Sequence, residues 1–419
     1  VTTISPLLVL GTGSLHYREH SLRGLAATRP LVLADDSLPG WASPYVQDVL
    51  RVDLSDAAAV AAAVKQFAEH RPLGGVCTYL EHHVELAAQL ADQLGLPGHS
   101  PASVAACRDK ALTRRRFHEH GVPSPRSVAV AVEEEAVHHA RLLGYPVVVK
   151  PRGMGGSAGV RRADTDAEVR DAYQRATWES VLGLDAYAVD GVLVEEYLDG
   201  PEISAETVVV DGYVHIVAIT CKSLGAEPQF LETGHSVDAR DPLLDDPAVS
   251  DAVTRAVRAL GLTHGVLHVE LRLTAHGPFL IEVNSRPGGD LIPRLVELAT
   301  GVDLMAVAAD LATGTDPDLA LTHERAAAVA FLYPTVSGRV SQQTAPADLR
   351  EEPWLERLVW TRYLGQIVSG PPRATIADRL AHWVVVGESA QDCQQRLASV
   401  RERISSQVGG PGHTTACIS

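Results

Sequence analysis

The chain opens on an unbroken apolar run, LLVL at 7–10, which ends in the turn Gly11-Thr12-Gly13. A short continuous apolar run suits a strand covered on both faces. Helical and extended patterns then alternate through LVLAD, AAAVAAAVKQFAEH, GVCTYL and VELAAQLADQLGLPG. Strand–helix alternation predicts a parallel sheet with helices on its faces over residues 1–105. The texture changes after SPASVAACRDKALTRRRFHEHG, where Pro123 and Pro125 punctuate a helix end. PVVVKPRGMGGSAGVRRA then reads as strand, glycine-rich loop and strand, and GVLVEEYLDGPEISAETVVVDGYVHIVAIT as several β runs. DPAVSDAVTRAVRALGL has helical amphipathic spacing, and GVLHVELRLTAHGPFLIEVN is a hairpin leading to a helix through LIPRLVELATG. These patterns predict a mixed α+β region with its own core over 106–315. From AAAVAFLYP a third region, 316–419, ends in a strand, a turn and a charged amphipathic helix, ahead of a loose GGPGHTTACIS tail. With no internal repeat and no low-complexity linker, the three regions are expected to pack closely. The fold class is α/β plus α+β.

The polar residues that interrupt these apolar runs carry the chemistry. A hairpin turned about His276 opposes Glu270 to Glu282 and His268 to Asn284. Two directly opposed carboxylates, about 5 Å apart at Cβ, repel each other. A divalent cation between them turns repulsion into coordination. Glu282 and Asn284, at i and i+2, share a face. With Glu270 they supply the oxygen donors a hard cation such as Mg²⁺ takes while keeping positions for phosphate and water. The plain alternative, a solvated face with an unfavourable pair, suits the apolar flanking residues poorly. In KPRGMGGSAGV, Gly153, Gly155, Gly156 and Gly159 let backbone N–H groups approach a ligand, with Lys150 as a point charge before them. No G-K-S/T follows, so this is no P-loop, and a hairpin tip would be equally glycine-rich. The G-T-G-S turn lacks a full G-x-G-x-x-G pattern and reads as a tight turn leaving the first strand.

Composition narrows the setting. The 419 residues are 46% hydrophobic and 21% charged, without an apolar run long enough to span a membrane. The N-terminal apolar run lacks a basic flank and reads as a strand, not a signal peptide. Five cysteines without C-x-x-C spacing fit a reducing, cytoplasmic setting. A net charge of −16 argues against nucleic-acid or anionic-membrane partners. Only four of the 36 basic residues are lysine: Lys65, Lys110, Lys150 and Lys222. In so arginine-rich a background, of the kind a GC-rich genome produces, a retained lysine points to a need for a compact ammonium.

GYPVVVKPRGMGGSAGV, VEEYLDGPEIS, HVEL and IEVNSRP, in this order, resemble the ATP-grasp carboxylate–amine ligases, from about residue 75 to the end of the chain. The resemblance implies ATP bound between two α+β subdomains under a glycine-rich lid subdomain, about 127–192. It puts Lys110 and Lys150 on the phosphates, with Gly155, Gly156 and Ser157 in the lid loop. Glu195, Tyr197 and Leu198 match the adenine segment, and Glu202 the ribose carboxylate. Glu196 departs from the family, where many members carry lysine. Mg²⁺, with Mn²⁺ an acceptable substitute, falls to Glu270, Glu282 and Asn284.

Within ITCKSLGAEPQFLETGHSVDAR, Glu232 and His235, together with Arg286, resemble the substrate residues of the L-amino-acid ligases, the bacilysin-type dipeptide synthetases. Glu232 would receive an α-ammonium, and Arg286 a carboxylate or developing oxyanion. Gly288 and Gly289 turn the chain past the substrate. The catalytic candidates are Arg286, Lys150 and His235; for His235 a plain hydrogen-bonding role is the alternative. Lys222 reaches phosphate if its strand borders the site and is otherwise a surface lysine. Tyr79 and Glu81 follow a parallel strand, where ligands bind in open α/β sheets, but an ordinary loop is the favoured reading.

The expected activity is ATP-dependent joining of two amino acids, by an α- or γ-glutamyl linkage, in specialised metabolism. The alternatives are transfer of an amino acid to a carrier protein or amine metabolite, a bicarbonate-using carboxylase, phosphotransfer to a non-carboxylate acceptor, and a non-catalytic ATP-binding regulator. A homodimer is compatible with the resemblance.

Overall fold

The computed structural model describes residues 5–178 and 191–409. The tail at 410–419, Cys417 and the lid positions 179–190 lie outside the described residues. The first unit is a parallel sheet in the order Asp48–Arg51, Leu31–Asp35, Leu7–Leu10, Gly75–Cys77. Strand periodicity explains the all-apolar LLVL run. Leu7 and Val9 pack with Leu22 and Leu25 of the helix Leu15–Thr28, while Leu8 and Leu10 face Val60, Val64, Leu86 and Leu90 of two other helices. The expected parallel sheet with covered faces is therefore present.

The centre is an eight-stranded sheet. Its order is Gly277–Asn284, Gly265–Thr274, Glu202–Val210, Tyr213–Leu224, Glu232–Asp238, Ala326–Leu332, Ala381–Gly387 and Leu355–Trp360, every pair antiparallel. The helix Pro247–Leu260 covers one face through Val253, Ala256 and Val257 against Leu267, Val269 and Leu280. Asp246 caps its start and left-handed Gly261 ends it. The opposite face packs on Leu295, Val296, Met305 and Ala309, together with residues of the first sheet and its helix. The strands Ala326–Leu332, Leu355–Trp360 and Ala381–Gly387 continue this central sheet, while Gly338–Thr344, Ile367–Val368 and Ser405–Gly409 form a separate three-stranded antiparallel sheet.

A smaller antiparallel sheet, Ser127–Val130, Val192–Glu196, Val147–Pro151 and Arg161–Ala163, packs Val147, Val149 and Val194 on Ala136, Ala140, Val169 and Ala172 of two helices. No helix among the described residues is long and apolar enough to cross a membrane.

The hairpin register needs one correction. His268 pairs with Asn284 and Glu270 with Glu282, as expected, but Thr274 pairs with Gly277, leaving the two-residue turn Ala275-His276 rather than one centred on His276. A β-bulge between the two halves absorbs the difference: Glu270 faces Glu282 and the next residue, Leu271, faces Leu280, so Ile281 is extra. The bulge turns Ile281 toward the central cavity, and its carbonyl accepts from Arg114 at 2.8 Å. Leu271 and Leu280, both fully buried, pin the register from the other face. Leu280→Ala should therefore cost about 2–5 kcal/mol, read as a lowered urea or thermal midpoint; an unchanged midpoint would show that this pair does not hold the bulge.

Candidate active site

The small sheet, the hairpin and the first unit enclose a cavity of about 620 Å³. On one side, Lys150 is the penultimate residue of the strand Val147–Pro151, with Nζ 2.6 Å from Glu195. Arg114 holds both oxygens of Glu195, at 2.9 and 3.2 Å. Burial raises the Glu195 pKa, but Arg114 and then Lys150 outweigh it and hold the carboxyl at about 2. Burial also lowers the Lys150 pKa, against the opposing pull of Glu195. Glu195 therefore positions the lysine, and its oxygens are already committed. Lys110 starts the helix Lys110–Glu119, capped by Asp109; its ammonium donates to the Met154 carbonyl at 2.6 Å and lies 3.2 Å from Glu282. Both lysines thus face the cavity beneath the glycine-rich loop, where Gly155, Gly156 and Ser157 line the wall. Gly156 and Ser157 have φ of 66° and 57°, so the loop turns through left-handed backbone at the cavity edge.

Tyr197, Leu198 and Glu202 also line the cavity. The Tyr197 hydroxyl donates to Glu227 at 2.8 Å, and Glu202 accepts from Arg272 at 3.0 Å and Lys222 at 3.3 Å. Glu196 pairs with Arg126 at 3.1 Å.

Glu270, Glu282 and Asn284 lie on paired strands and line the same cavity. The set is all oxygen and mixes charge with an amide, which fits a hard divalent cation. His268 contacts Glu270 at 3.1 Å and the fully buried Glu206 at 3.0 Å, and Glu206 is held in turn by Ser204 and Thr220. Burial lowers the His268 pKa, but Glu206 and then Glu270 raise it to about 9. Lys222 is buried, not on the surface, and touches Glu202, Glu232 and Glu270 at 3.3, 2.9 and 2.9 Å. Against the lowering effect of burial, these three hold its pKa well above the usual lysine range.

At the far end, Arg286 donates Nε to Glu81 at 2.5 Å. Glu81 also accepts from Arg108 at 2.9 Å, and burial of its carboxyl is outweighed by Arg286 and then Arg108, leaving its pKa at about 2. The favoured reading of Glu81 as an ordinary loop residue is thus corrected: it anchors Arg286 inside the cavity. Tyr79 is a core residue whose hydroxyl donates to the Thr12 carbonyl at 3.1 Å.

Glu232 lines the cavity, whereas His235, 2% exposed, stands behind it, 3.6 Å from both Glu232 and Asp290. His235 thus does not line the cavity itself: it pairs with Lys222 across the strands and shares that sheet face, but it is covered there, with its ring edge-on to Phe331. Gly288 is a second correction. It does not line the cavity, and a Cβ there would come 3.0 Å from His268 and 3.1 Å from Ile292, so it permits close packing, while Gly289 faces the cavity.

Several residues escaped sequence reasoning. Asp290 is gripped by Arg379 at 2.6 and 2.7 Å, and Arg379 lies 3.7 Å over the Phe331 ring. Despite burial, Arg379 holds Asp290 well below the usual carboxylate range. Asp290 adjoins the RPGG turn, a signal that could have marked it; nothing local marks Arg379, Glu206 or Arg114, the first arginine of the TRRRF run. Glu232, His235 and Asp290 have donor atoms within 4.8 Å of one another, but Lys222 and Arg379 already compensate the two carboxylates.

Residues 143–294 match the ATP-grasp domain and residues 28–98 the ATP-grasp N-terminal domain. The chain is 32% identical over 306 residues to the uncharacterized protein y4rH of Sinorhizobium fredii, covering 71% of this chain and 61% of that protein. It is 28% identical over 338 residues to Carnosine synthase 1 of Homo sapiens, covering 75% of this chain and 40% of that protein. The chain thus spans less than two thirds of the length of these relatives. D-alanine–D-alanine ligase of Pseudomonas fluorescens is 28% identical over 241 residues, 55% of this chain and 70% of that protein. The crystal structure of L-amino acid ligase from Bacillus licheniformis has the same fold, with a TM-score of 0.81 at 22% identity over 98% of this chain and 100% of that one.

The Glu195 site has a pH signature. Its folded pKa lies near 2, below the ordinary 4.5, so the unfolded chain takes up the proton first as pH falls. The stabilisation is complete above about pH 4.5 and disappears toward pH 2. The thermal-midpoint advantage of the wild type over Glu195→Gln should shrink across that window, and a constant gap would contradict the assignment.

Proposed function

This chain belongs to the ATP-grasp superfamily, and on that premise we propose that it is an ATP- and Mg²⁺-dependent carboxylate–amine ligase joining two amino acids. The observation that carries the reading is the opposition of Glu270 to Glu282, with Asn284 two residues on, in one cavity with Lys110, Lys150, Glu232 and Arg286. Similarity to an L-amino acid ligase and to D-alanine–D-alanine ligases supports amino acids as substrates. A reducing, cytoplasmic setting agrees with the free state of Cys77, Cys107, Cys221 and Cys393.

In this reading a substrate carboxylate attacks the γ-phosphorus of ATP, giving an acyl phosphate and ADP. The amine of the second substrate then attacks the acyl carbon, phosphate leaves, and the nitrogen gives up a proton. Lys110 and Lys150 hold the phosphates as point charges. Glu270, Glu282 and Asn284 would hold Mg²⁺, which when bound neutralises charge on the transferring phosphoryl group. Arg286, oriented by Glu81, stabilises the oxyanion that develops when the amine attacks. Glu232 receives an α-ammonium, with Lys222 and the Arg379–Asp290 pair fixing the carboxylates around it. The glycine-rich loop shields the acyl phosphate from water.

The carboxylase alternative draws on the fold shared with a 2-oxoglutarate carboxylase biotin carboxylase domain, at 18% identity and a TM-score of 0.69. The Glu232 carboxylate on the cavity wall, suited to an α-ammonium, favours the amino-acid reading. Phosphate release should require a pair of amino acids and yield a product of their summed mass less one water. Glu282→Ala should lower ADP formation at least ~100-fold, while Arg286→Ala should cut amide formation ~100-fold or more with ADP formation better preserved. Phosphate release that depends on bicarbonate, or only on a carrier protein, would defeat the proposal.

A further inference from the structure

Among the described residues that line the cavity, the cationic side chains are matched within the protein. Lys110 sits on Glu282, Lys150 on Glu195, Arg272 on Glu202, Arg286 on Glu81, Arg379 on Asp290, and Arg362 donates to the Ala377 carbonyl. Arg18 differs. It lies on the first turn of the helix Leu15–Thr28 and lines the cavity. Its guanidinium makes no hydrogen bond or ion pair with a described residue; its one aromatic contact is the Tyr79 ring, 5.6 Å away. Burial, then the neighbouring Arg286 charge, lowers its pKa to about 10 against the smaller opposing pull of Tyr79, Asp290 and Glu81, none of which it hydrogen-bonds, so it stays protonated at neutral pH. Two guanidinium groups close together at a partly buried wall repel each other unless an anion lies between them.

Position says which anion. A Cβ added at Gly289 would meet only the Arg18 guanidinium, 4.0 Å away, so Arg18 hangs over the turn that directly follows Arg286. The phosphate-binding lysines are accounted for beneath the glycine-rich loop. The amine that attacks beside Arg286 carries, in a free α-amino acid, a carboxylate carbon only about 2.5 Å from its nitrogen, given standard bond lengths. That carboxylate therefore falls immediately beyond Arg286, where the unpaired fork stands. Ser14, the N-cap of the same helix, lines this wall and adds the positive end of the helix dipole.

We propose that Arg18 binds the carboxylate of the amine substrate, so that the acceptor is a free amino acid rather than an amino-acid amide, a simple amine or a carrier-protein arm. This rests on the ligase reading above.

The test begins with the full chain, ATP, Mg²⁺ and hydroxylamine across the twenty L-amino acids, which identifies donors by hydroxamate formation without an amino-acid acceptor. With a donor in hand, free amino acids are compared with their C-terminal amides and with O-phosphoethanolamine as acceptors. The wild type should prefer free acids over amides on the order of tenfold to a hundredfold in kcat/KM, the range for a charge-assisted hydrogen bond. Arg18→Met should collapse that ratio through the acceptor KM, and Arg18→Lys should retain part of it. Equal use of amides by the wild type, preference for O-phosphoethanolamine, an intact ratio in Arg18→Met, or loss of hydroxamate formation in that variant would each overturn the assignment. If Arg18→Met does not fold, the wild-type ratio and Arg18→Lys decide. No hydroxamate with any donor would remove the ligase reading itself, and this inference with it.

Discussion

The structure turns on two carboxylates, Glu270 and Glu282, held face to face by the backbone ladder of one hairpin. Like charges so close are unfavourable, and the protein surrounds them with cations instead of separating them. Lys110 approaches from the helix at 110, Lys222 from the neighbouring part of the same sheet, and His268 from the same strand. The two lysine contacts each join a different segment to the hairpin. The charge constraint therefore organises the cavity as much as the packing behind it does.

The same logic extends outward. Buried carboxylates Glu81, Glu195, Glu206 and Asp290 each meet a cation, and several of those cations are the groups a ligase reading assigns to substrate or phosphate. Pairing of this kind adds little net stability once desolvation is counted, but removing one partner leaves a buried charge exposed to the low-dielectric interior. Its contribution here is geometric: Glu195 aims Lys150, Glu81 aims Arg286, and Arg379 fixes Asp290. Arg18 stands outside this pattern, and a fork without an internal acceptor is suited to a ligand that supplies one.

Much of the scaffold was legible because its signals are local. The parallel sheet followed from strand–helix alternation, and the opposition of Glu270 to Glu282 from hairpin symmetry. Even there, a bulge at Ile281 compensates for a turn one position from where symmetry put it. The placement of Lys110 and Lys150 at the cavity came from their rarity and from motif resemblance. His235 and Gly288 do not themselves line the cavity, since sequence proximity to the site does not report how completely neighbouring groups cover a residue.

By itself, the sequence determined what depends on spacing along the chain: apolar periodicity, the i and i+2 relation of Glu282 to Asn284, and the glycine content of the loop. Only the tertiary structure decided which charges meet. Glu81 and Arg286 are 205 positions apart, Asp290 and Arg379 are 89, and Arg114 and Glu195 are 81. No local pattern encodes such pairs. They arise when three of the four sheets converge on one cavity and burial makes each unmatched charge too costly to leave alone.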